Sequence, residues 1–315
     1  EREWAVSQQF VHQAEDVYKA LVAKQPTLYE TDKVSKEALA EWFKDKEGAE
    51  RVYGAISGWD TSQVDNLRRL FDFTENVYGK TTFNEKLVWD TSKVKRMEGT
   101  FSNAEAFNQP LAWDTSAVTF MGNTFFVTTA FNSELAWDTS KVASMGGTFN
   151  IAKAFNHPLD WDTSRVTYMH ATFGSARAFN QQLAWDTSKV TNLHTAFHTA
   201  EAFNSQLVWD TSKVTTMGHT FWNAEAFNSE LVWDTSQVTT LRETFNRASA
   251  FNQPGIIDWD VSSVANFNSI FSGAALESDA LPALKILSLD GTPASNTAID
   301  ALRAARHGLH NLVME

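Results

Sequence analysis

A short motif that recurs at a fixed spacing constrains this chain more than any other feature. The pair Trp-Asp occurs nine times, and successive tryptophans are separated by 30, then six times by 24, and finally by 26 residues. The nine are Trp59, Trp89, Trp113, Trp137, Trp161, Trp185, Trp209, Trp233 and Trp259. A period of this length is the signature of repeat architectures. Residues needed in every turn are expected to be structural, because a catalytic group is usually needed once.

The pattern within a turn predicts two elements. Leu135 and Trp137 alternate with Ala136, which is the period of a short strand. Four apolar residues then follow at offsets of 0, 3, 7 and 10, and they are Val142, Met145, Phe149 and Ala152. On a helix such offsets share one narrow face. Asp138 or Thr139 would cap its first amides, so we expect a short helical or 3₁₀ return after each strand.

Neither element can bury its apolar side alone, whereas stacked turns can. We therefore predict an α/β solenoid, a leucine-rich-repeat-like right-handed stack of 24-residue strand–helical-return turns. About nine turns are assigned to residues 56–276. Residues 1–55 are predicted to form an N-terminal helical cap, with helices near 3–24 and 35–47. Residues 277–315 are predicted to hold a degenerate turn at Leu289 and a C-terminal cap with a helix near 296–313, since the ends of a stack need covering.

Two columns are predicted to be structural ladders. The tryptophans are expected to pile up in a dry interior, and they include Trp89, Trp113, Trp137, Trp161, Trp185, Trp209 and Trp233. The asparagines are expected to pair internal backbone groups of neighbouring turns, and they include Asn108, Asn132, Asn156, Asn180, Asn204 and Asn228. The Asp that follows each Trp is expected to cap the return. The calcium-binding nonapeptide and the EF-hand spacing are both absent, so no calcium site is predicted.

Composition and motifs exclude several functions. The formal charge of −12 disfavours nucleic acid as a partner, because phosphates need a basic footprint. No apolar run is long enough for a transmembrane helix, and the chain has no cysteine. Nucleophile triads, phosphate-binding loops and paired carboxylates do not stand out, so no catalytic, cofactor or metal residue is predicted.

Four histidines fall in three consecutive turns, namely His170, His194, His198 and His219. His194 and His198 are four residues apart, a spacing that suits a metal on a helix. Neighbouring helical returns are expected about 10 Å apart, the usual distance between packed helices, which is far for shared ligands. Ordinary surface histidines are therefore expected, and a zinc site is the alternative.

Variable positions suggest where a partner could bind. Apolar residues recur on the predicted outer side of the return, which is typical of an interaction patch. They are Phe120, Phe126, Val127, Ile151, Tyr168 and Trp222. Scattered surface apolar residues are the competing interpretation. The outward strand column is small, from Val88 and Ala112 to Val232, so a partner could instead lie against that face.

The segments FNQPLAWDTSAVTFM, AFNHPLDWDTSRVTYM and DWDVSSVANFNSIFSGAA resemble the BspA-type leucine-rich repeat, also known as the Mycoplasma-lipoprotein-type surface repeat. The resemblance covers about residues 56–276. It implies a leucine-rich-repeat-like solenoid and a surface or secreted role in adhesion and protein binding, without catalytic residues. Thr100, Thr124 and Thr148 depart from it, since the family often has Met there.

We therefore expect a noncatalytic protein-binding, scaffold or surface-adhesion module with an unidentified protein partner, or a subunit of a larger assembly. An ice- or glycan-binding repeat protein is the alternative. The regular Thr column from Thr91 to Thr235 favours ice binding, although its predicted place at a turn and not on the flat strand face weakens that idea. An enzyme is the least favoured reading. An extracellular, cell-surface or organelle-lumen location is expected after removal of a targeting segment.

Overall fold

The computed structural model describes residues 34–72, 82–253, 255–256 and 259–275. Two helices come first, α1 (Val34–Lys44) and α2 (Lys46–Tyr53), followed by a 3₁₀ turn at Ile56–Gly58. The single helix predicted near 35–47 is divided at Asp45, whose carboxylate accepts a hydrogen bond from the Gly48 N–H at 3.0 Å and so begins α2. The helices predicted near 3–24 and 296–313 and the turn at Leu289 lie outside the described residues.

The two helices pack over the first repeat turn. Trp42 of α1 is 5% exposed and meets Phe83 edge-on, with ring centroids 5.8 Å apart. Phe83 stacks on Phe71 at 4.6 Å, and Phe71 begins a column of phenylalanines that continues through the repeats. The apolar surface of the first turn is thereby covered.

One segment of each turn carries most of the backbone pairing between turns. We call it the ribbon, and in the turn that begins at Trp113 it spans residues 118–128. One more bond lies just beyond it, such as the bond from the Ala130 N–H to the Glu105 carbonyl at 3.0 Å. One residue of each ribbon forms a parallel β-bridge with its equivalent in the next turn, in the order Asn66, Arg96, Phe120, Ser144, Tyr168, Asn192, Thr216, Thr240 and Asn266. Successive turns therefore lie side by side and in register.

Within the ribbon, backbone amides alternate between two kinds of acceptor. The Asn123 and Phe125 amides donate to carbonyls of the next turn, Gly146 and Thr148, both at 2.9 Å. The Thr124, Phe126 and Thr128 amides donate instead to the carbonyl three residues earlier. This pattern links each ribbon both to itself and to the next turn.

The α-helical form of the predicted return is wrong, because no α-helix is present in residues 82–253. The 3₁₀ alternative is closer, since several ribbon amides donate to the carbonyl three residues earlier. Asn123 and Val127 have φ of 57° and 56°, and such a left-handed residue recurs every fourth position in the ribbon. Those residues interrupt the succession of i→i−4 hydrogen bonds that defines an α-helix. The apolar spacing has another origin. Val142, Met145, Phe149 and Ala152 are all fully buried, because a four-residue backbone period also turns them to one side.

The segment around each Leu-x-Trp alternates as a strand would, but it is not one. Leu135, Trp137 and Thr139 are buried, whereas Ala136 and Asp138 are exposed. In this segment, hydrogen bonds from side chains connect each turn to its neighbours. The Trp137 indole N–H donates to the Leu111 carbonyl at 3.1 Å, and the Thr139 hydroxyl donates to the Asp162 carbonyl at 2.9 Å.

The spacing between turns explains why backbone groups pair in the ribbon and side chains pair near Leu-x-Trp. Successive rings in the Phe101–Phe125 column are 5.7 Å apart, whereas Trp113 and Trp137 are 6.5 Å apart. The turns are therefore wider apart at the tryptophans than at the ribbon. Direct backbone pairing needs strands about 4.8 Å apart, so longer side chains bridge the wider side.

Three ring columns fill the interior. Phe149 and Phe155 lie 4.1 Å apart within one turn, and Phe149 stacks on Phe125 and Phe173 at 5.6 Å between turns. The indoles from Trp89 to Trp259 are parallel and offset, with planes within 6° of each other. Offset stacking is a favoured arrangement of aromatic rings.

Candidate interaction face

The outward side chains of the ribbons form one continuous surface, which we call the ribbon face. In the turn of Trp113, residues 118, 121, 124, 125 and 128 are buried, and those between them point outward. The same positions repeat in every ribbon, so side chains of neighbouring turns stand in columns on this surface. Columns of this kind can present a wide epitope to a partner.

Five of the six predicted partner-binding residues lie in three consecutive ribbons. Phe120 and Tyr168 are 43% and 42% exposed and share the bridged column, with Ser144 between them. They are two turns apart, or about 10 Å at the spacing of paired strands. Phe126, Val127 and Ile151 are half-buried on the same face. We call these five residues the apolar patch.

Charged side chains border this patch. The Arg96 guanidinium lies over the Phe120 ring, 5.5 Å from its centroid, and also binds Glu98. Beyond it, Arg68, Arg69, Asp72 and Glu98 line part of a cleft of about 290 Å³ that also reaches Phe126. The patch therefore has a polar rim at its N-terminal end.

The sixth residue, Trp222, lies apart from the others. It belongs to the column of Phe126, but its ribbon is two turns beyond that of Tyr168. Its ring is half-buried beneath the Arg247 guanidinium, which lies 5.8 Å from the ring centroid. Trp222 is thus covered on one side and does not extend the patch.

Two residues of the patch hold backbone conformations that suit them poorly. Val127 and Ile151 have φ of 56° and 64°. The left-handed region is a genuine outlier for β-branched residues, whereas Asn and Gly enter it readily. The same column holds Asn103, Asn223 and Gly273 in other turns. Sequence reasoning missed this strain, although those residues in the same column were a signal for it.

The opposite surface, around Leu-x-Trp, carries a second set of exposed apolar residues. Val88, Val208 and Val232 are 79%, 78% and 82% exposed, and none of them has positive φ. An open groove of about 750 Å³ on this surface is lined by residues that include Pro110, Glu134 and His157. Small side chains such as Ala112 and Ala136 keep the surface shallow.

The Asp column lies at the edge of that surface. The Asp138 carboxylate accepts a hydrogen bond from the Ser140 N–H at 2.9 Å, so it pairs the amide at the start of the return as a cap would. The Ser140 hydroxyl and then its N–H lower the pKa of Asp138 below the usual value. Among the described residues, no group of three or more His, Cys, Asp or Glu side chains is placed to hold a metal ion.

The asparagine ladder exists, but it lies outside the core. The Asn132 amide oxygen accepts from the Asn156 N–H, and the Asn156 oxygen accepts from the Asn180 N–H, both at 2.9 Å. These side chains are exposed. The expectation of an internal ladder is therefore wrong. The ladder pairs amides on the outer side of the turns, just after the bond between turns that the Ala154 N–H makes to the Thr129 carbonyl at 3.2 Å.

The Thr column from Thr91 to Thr235 is buried. Its members are 1–2% exposed, and each donates its hydroxyl to an Asp carbonyl of the next turn, as Thr115 does to Asp138 at 2.9 Å. These hydroxyls are committed to the fold. They do not present a regular surface to ice or to a ligand.

The four histidines cluster on the ribbon face. The rings of His170 and His194 are stacked with centroids 5.3 Å apart, and His194 meets His219 edge-on at 5.3 Å. The expected separation of about 10 Å between returns is wrong, because paired ribbons lie closer together than packed helices do. Burial is the main cause that lowers the pKa of all four histidines.

A family model described as "Mycoplasma protein of unknown function, DUF285" matches four overlapping stretches of the chain, residues 37–160, 111–208, 133–232 and 207–281. Together these matches cover most of the sequence and both ends of the described repeats. Neither a curated protein nor a solved structure matches the chain. Among the described residues, no helix has the length and apolar character needed to cross a membrane.

Proposed function

The chain belongs to this DUF285 family of Mycoplasma-type repeat proteins, and from that premise we propose that it is a noncatalytic protein-binding module whose ribbon face docks a partner. We further propose that its stacked turns form a solenoid related to the BspA-type leucine-rich repeat, with the ribbon in place of a helical return. A role in scaffolding or surface adhesion follows from that relationship.

The backbone strain at Val127 and Ile151 is the main observation that supports the proposal. A β-branched residue in the left-handed region costs at least about 1–2 kcal/mol. Asn would fit the same backbone, as Asn103 and Asn223 do in the same column. Both strained side chains are only half-buried, so folding recovers little by keeping them. Contact with a partner explains why apolar residues stand at positions that disfavour them.

The remaining apolar patch has the composition of a protein interface. Phe120 and Tyr168 offer large, partly exposed rings beside the strained pair, and aromatic residues are enriched in interfaces. Arg96 supplies a polar rim at one end. The partner we propose is therefore a protein surface with apolar side chains that fill the space between the two rings.

The alternative functions have less support. Ice binding would need the Thr column on the surface, but its hydroxyls are buried and bonded to backbone carbonyls. Glycan binding would use the exposed rings of Phe120 and Tyr168, yet it gives no reason for strained aliphatic residues beside them. An enzyme would need titratable groups that converge on a substrate, whereas the rings of His170 and His194 stack on each other.

Site-specific photocrosslinking tests the proposal directly. A photoreactive residue at position 120 or 168 should crosslink to a protein in the native source, whereas one at Ala136 on the opposite surface should not. Val127→Asn and Ile151→Asn should each weaken the crosslink and also raise the free energy of unfolding by about 1 kcal/mol, because strain is relieved. Thr199→Asn is the matched control, since Thr199 has φ of 53° in the same column but lies outside the patch.

The stability measurement separates the possible failures. If Val127→Asn weakens crosslinking and also destabilises the fold, the loss reflects unfolding, and the argument from strain fails. If Thr199→Asn weakens crosslinking as much as Ile151→Asn does, the patch is not the site. Binding of the wild-type chain on a glycan array, with no protein crosslinked, would favour the glycan alternative.

A further inference from the structure

Four histidines in three adjacent ribbons form a second feature of the ribbon face, separate from the apolar patch. His170, His194 and His219 contact one another in sequence through their rings, and His198 lies in the neighbouring column. We propose that these histidines make this section of the stack acid-sensitive. The ribbons between residues 168 and 243 would stay paired at neutral pH and separate as the imidazoles become protonated.

The ring geometry favours neutral imidazoles. His170 and His194 are stacked with an interplanar angle of 10°, which places two potential charges about 5 Å apart if both rings are protonated. Like charges at that distance repel each other, more strongly when half-buried than in water. His194 is held between His170 and His219, so it would meet this repulsion from both sides.

The charged groups around the cluster are of both signs, and Glu243 favours protonation of His219 alone. Glu243 lies 3.6 Å from His219 and would stabilise its charge, but Glu243 is also paired with Arg242 at 3.1 Å. Arg242 is itself positive and acts against protonation of His194 and His219. Tyr168 flanks His170, with ring centroids 5.9 Å apart, and adds no carboxylate to the cluster.

His198 is sensitive to acid for a separate reason. A Cβ placed on Gly174 would meet the His198 Nε2 at 2.6 Å and the Asn150 Oδ1 at 2.8 Å, so both polar groups overhang the space that this glycine leaves open. The Asn150 Oδ1 is buried and has no hydrogen-bond partner. Burial lowers the pKa of His198, and repulsion from His219, His170 and His194 adds to that effect.

The same geometry argues against a metal as the ligand of this cluster. The lone pair of an imidazole lies in its ring plane, so the nearly parallel rings of His170 and His194 direct their lone pairs side by side and not toward a common point, and only His219 meets His194 edge-on. No suitable group of ligands occurs among the described residues. Protonation is therefore the chemistry that these rings share.

The sign of the effect follows from proton linkage. All four pKa values are lowered in the folded state, so the folded chain binds fewer protons than the unfolded chain below the ordinary histidine pKa of about 6.5. Stability is unaffected above that pH and decreases as the pH falls from about 6.5 toward the folded pKa values. One pH unit below 6.5, each histidine that remains neutral in the folded state increases the equilibrium constant for opening by about tenfold.

Hydrogen exchange of single backbone amides tests the proposal in the full chain. The reporters are Ala171, Thr195 and His219, whose amides donate to the next ribbon at 3.0, 3.0 and 2.8 Å. The internal references are Asn123 and Phe125, which make the same bond in ribbons without histidine. Between pH 7 and pH 5.5, after correction for intrinsic rates, protection of the reporters should fall at least tenfold more than protection of the references.

Replacement by residues already present in the same columns gives the matched variants. Asn occupies these columns at Asn268, Asn246 and Asn123, so each of the four histidines can be changed to Asn. The quadruple variant should lose the excess pH dependence of the reporters. His157→Asn is the control, because His157 lies on the opposite surface, and it should keep that dependence in full.

The wild-type chain alone can also refute the idea. Equal pH dependence of reporters and references would overturn it. So would histidine NMR titrations in which all four rings protonate at their ordinary pKa without loss of protection. A rise in reporter protection on addition of Zn²⁺ at pH 7 would mean that the rings converge on a metal, against the stacking argument. Because no partner is involved, these outcomes are independent of the proposed docking function.

Discussion

Truncation of one core ring tests how the stack is stabilised. Phe149 is fully buried near the middle of the chain. It stacks on Phe155 at 4.1 Å, on Phe125 and Phe173 at 5.6 Å, and on Trp161 at 5.7 Å. Phe149→Ala should lower the free energy of unfolding by about 3–5 kcal/mol, because it removes a buried ring and leaves a cavity. The four ring contacts place the expected value at the upper end, since a stacked pair adds about 0.5–1.5 kcal/mol.

Two further variants separate ring stacking from simple burial. Phe149→Leu keeps most of the apolar volume and should cost about 1.5 kcal/mol or a little more, because the ring contacts are lost. Phe126→Ala, on the half-buried outer side of the preceding ribbon, should cost about 1 kcal/mol or less, as surface substitutions usually do.

Urea denaturation followed by tryptophan fluorescence measures these differences. The indoles lie in the same core as Phe149, so their emission should report on loss of the stack. Repeat proteins can unfold in segments, so the transition should also be followed by circular dichroism. A cost below about 1 kcal/mol for Phe149→Ala, or equal costs at Phe149 and Phe126, would refute the claim that the ring columns hold the turns together.

Three other predictions concern the polar columns. Asn156→Ala removes the acceptor of the Asn180 amide and should cost about 1 kcal/mol in urea denaturation, whereas no cost would deny the outer ladder a stabilising role. Ala196 fills the one gap in a buried Thr column between residues 100 and 244, so Ala196→Thr should raise the free energy of unfolding by about 1 kcal/mol, and a lower melting temperature would contradict this. Ser140→Ala removes the first cause of the lowered Asp138 pKa, so carboxyl NMR titration should show that pKa rise. Since a lowered carboxyl pKa contributes stability that is lost as the pH falls below about 4, the variant should also lose less stability in acid than the wild type.

The sequence predicted the interior better than the backbone. Buried positions such as Trp137 and Phe149 follow from the period alone, because residues that recur at one place in every turn stack on their equivalents. The conformation of the return did not follow. The spacing of Val142, Met145 and Phe149 fits a helix and also fits a ribbon with a left-handed residue at every fourth position. Periodicity cannot distinguish the two.

The outer face was predictable in part for the same reason. Exposure of Phe120 and Tyr168 could be inferred from their place between buried columns. The strain at Ile151 was hidden by the helix prediction, since φ depends on the ribbon conformation, although Asn and Gly elsewhere in its column were a signal for it. The closeness of His170 to His194 was likewise hidden, because the distance between returns depends on whether helices or ribbons are packed.

Distances between exposed positions on successive turns test the central claim most directly. Spin labels can be placed at Ala112 together with Ala184, Val208 or Val232, all exposed in one column and three, four and five turns from Ala112. If the turns lie side by side, the label separation should increase with each added turn by roughly the 6.2–6.5 Å that separates successive indole centroids on the same side. Separations that do not rise steadily with the number of turns would contradict a stack of parallel turns held by columns of rings.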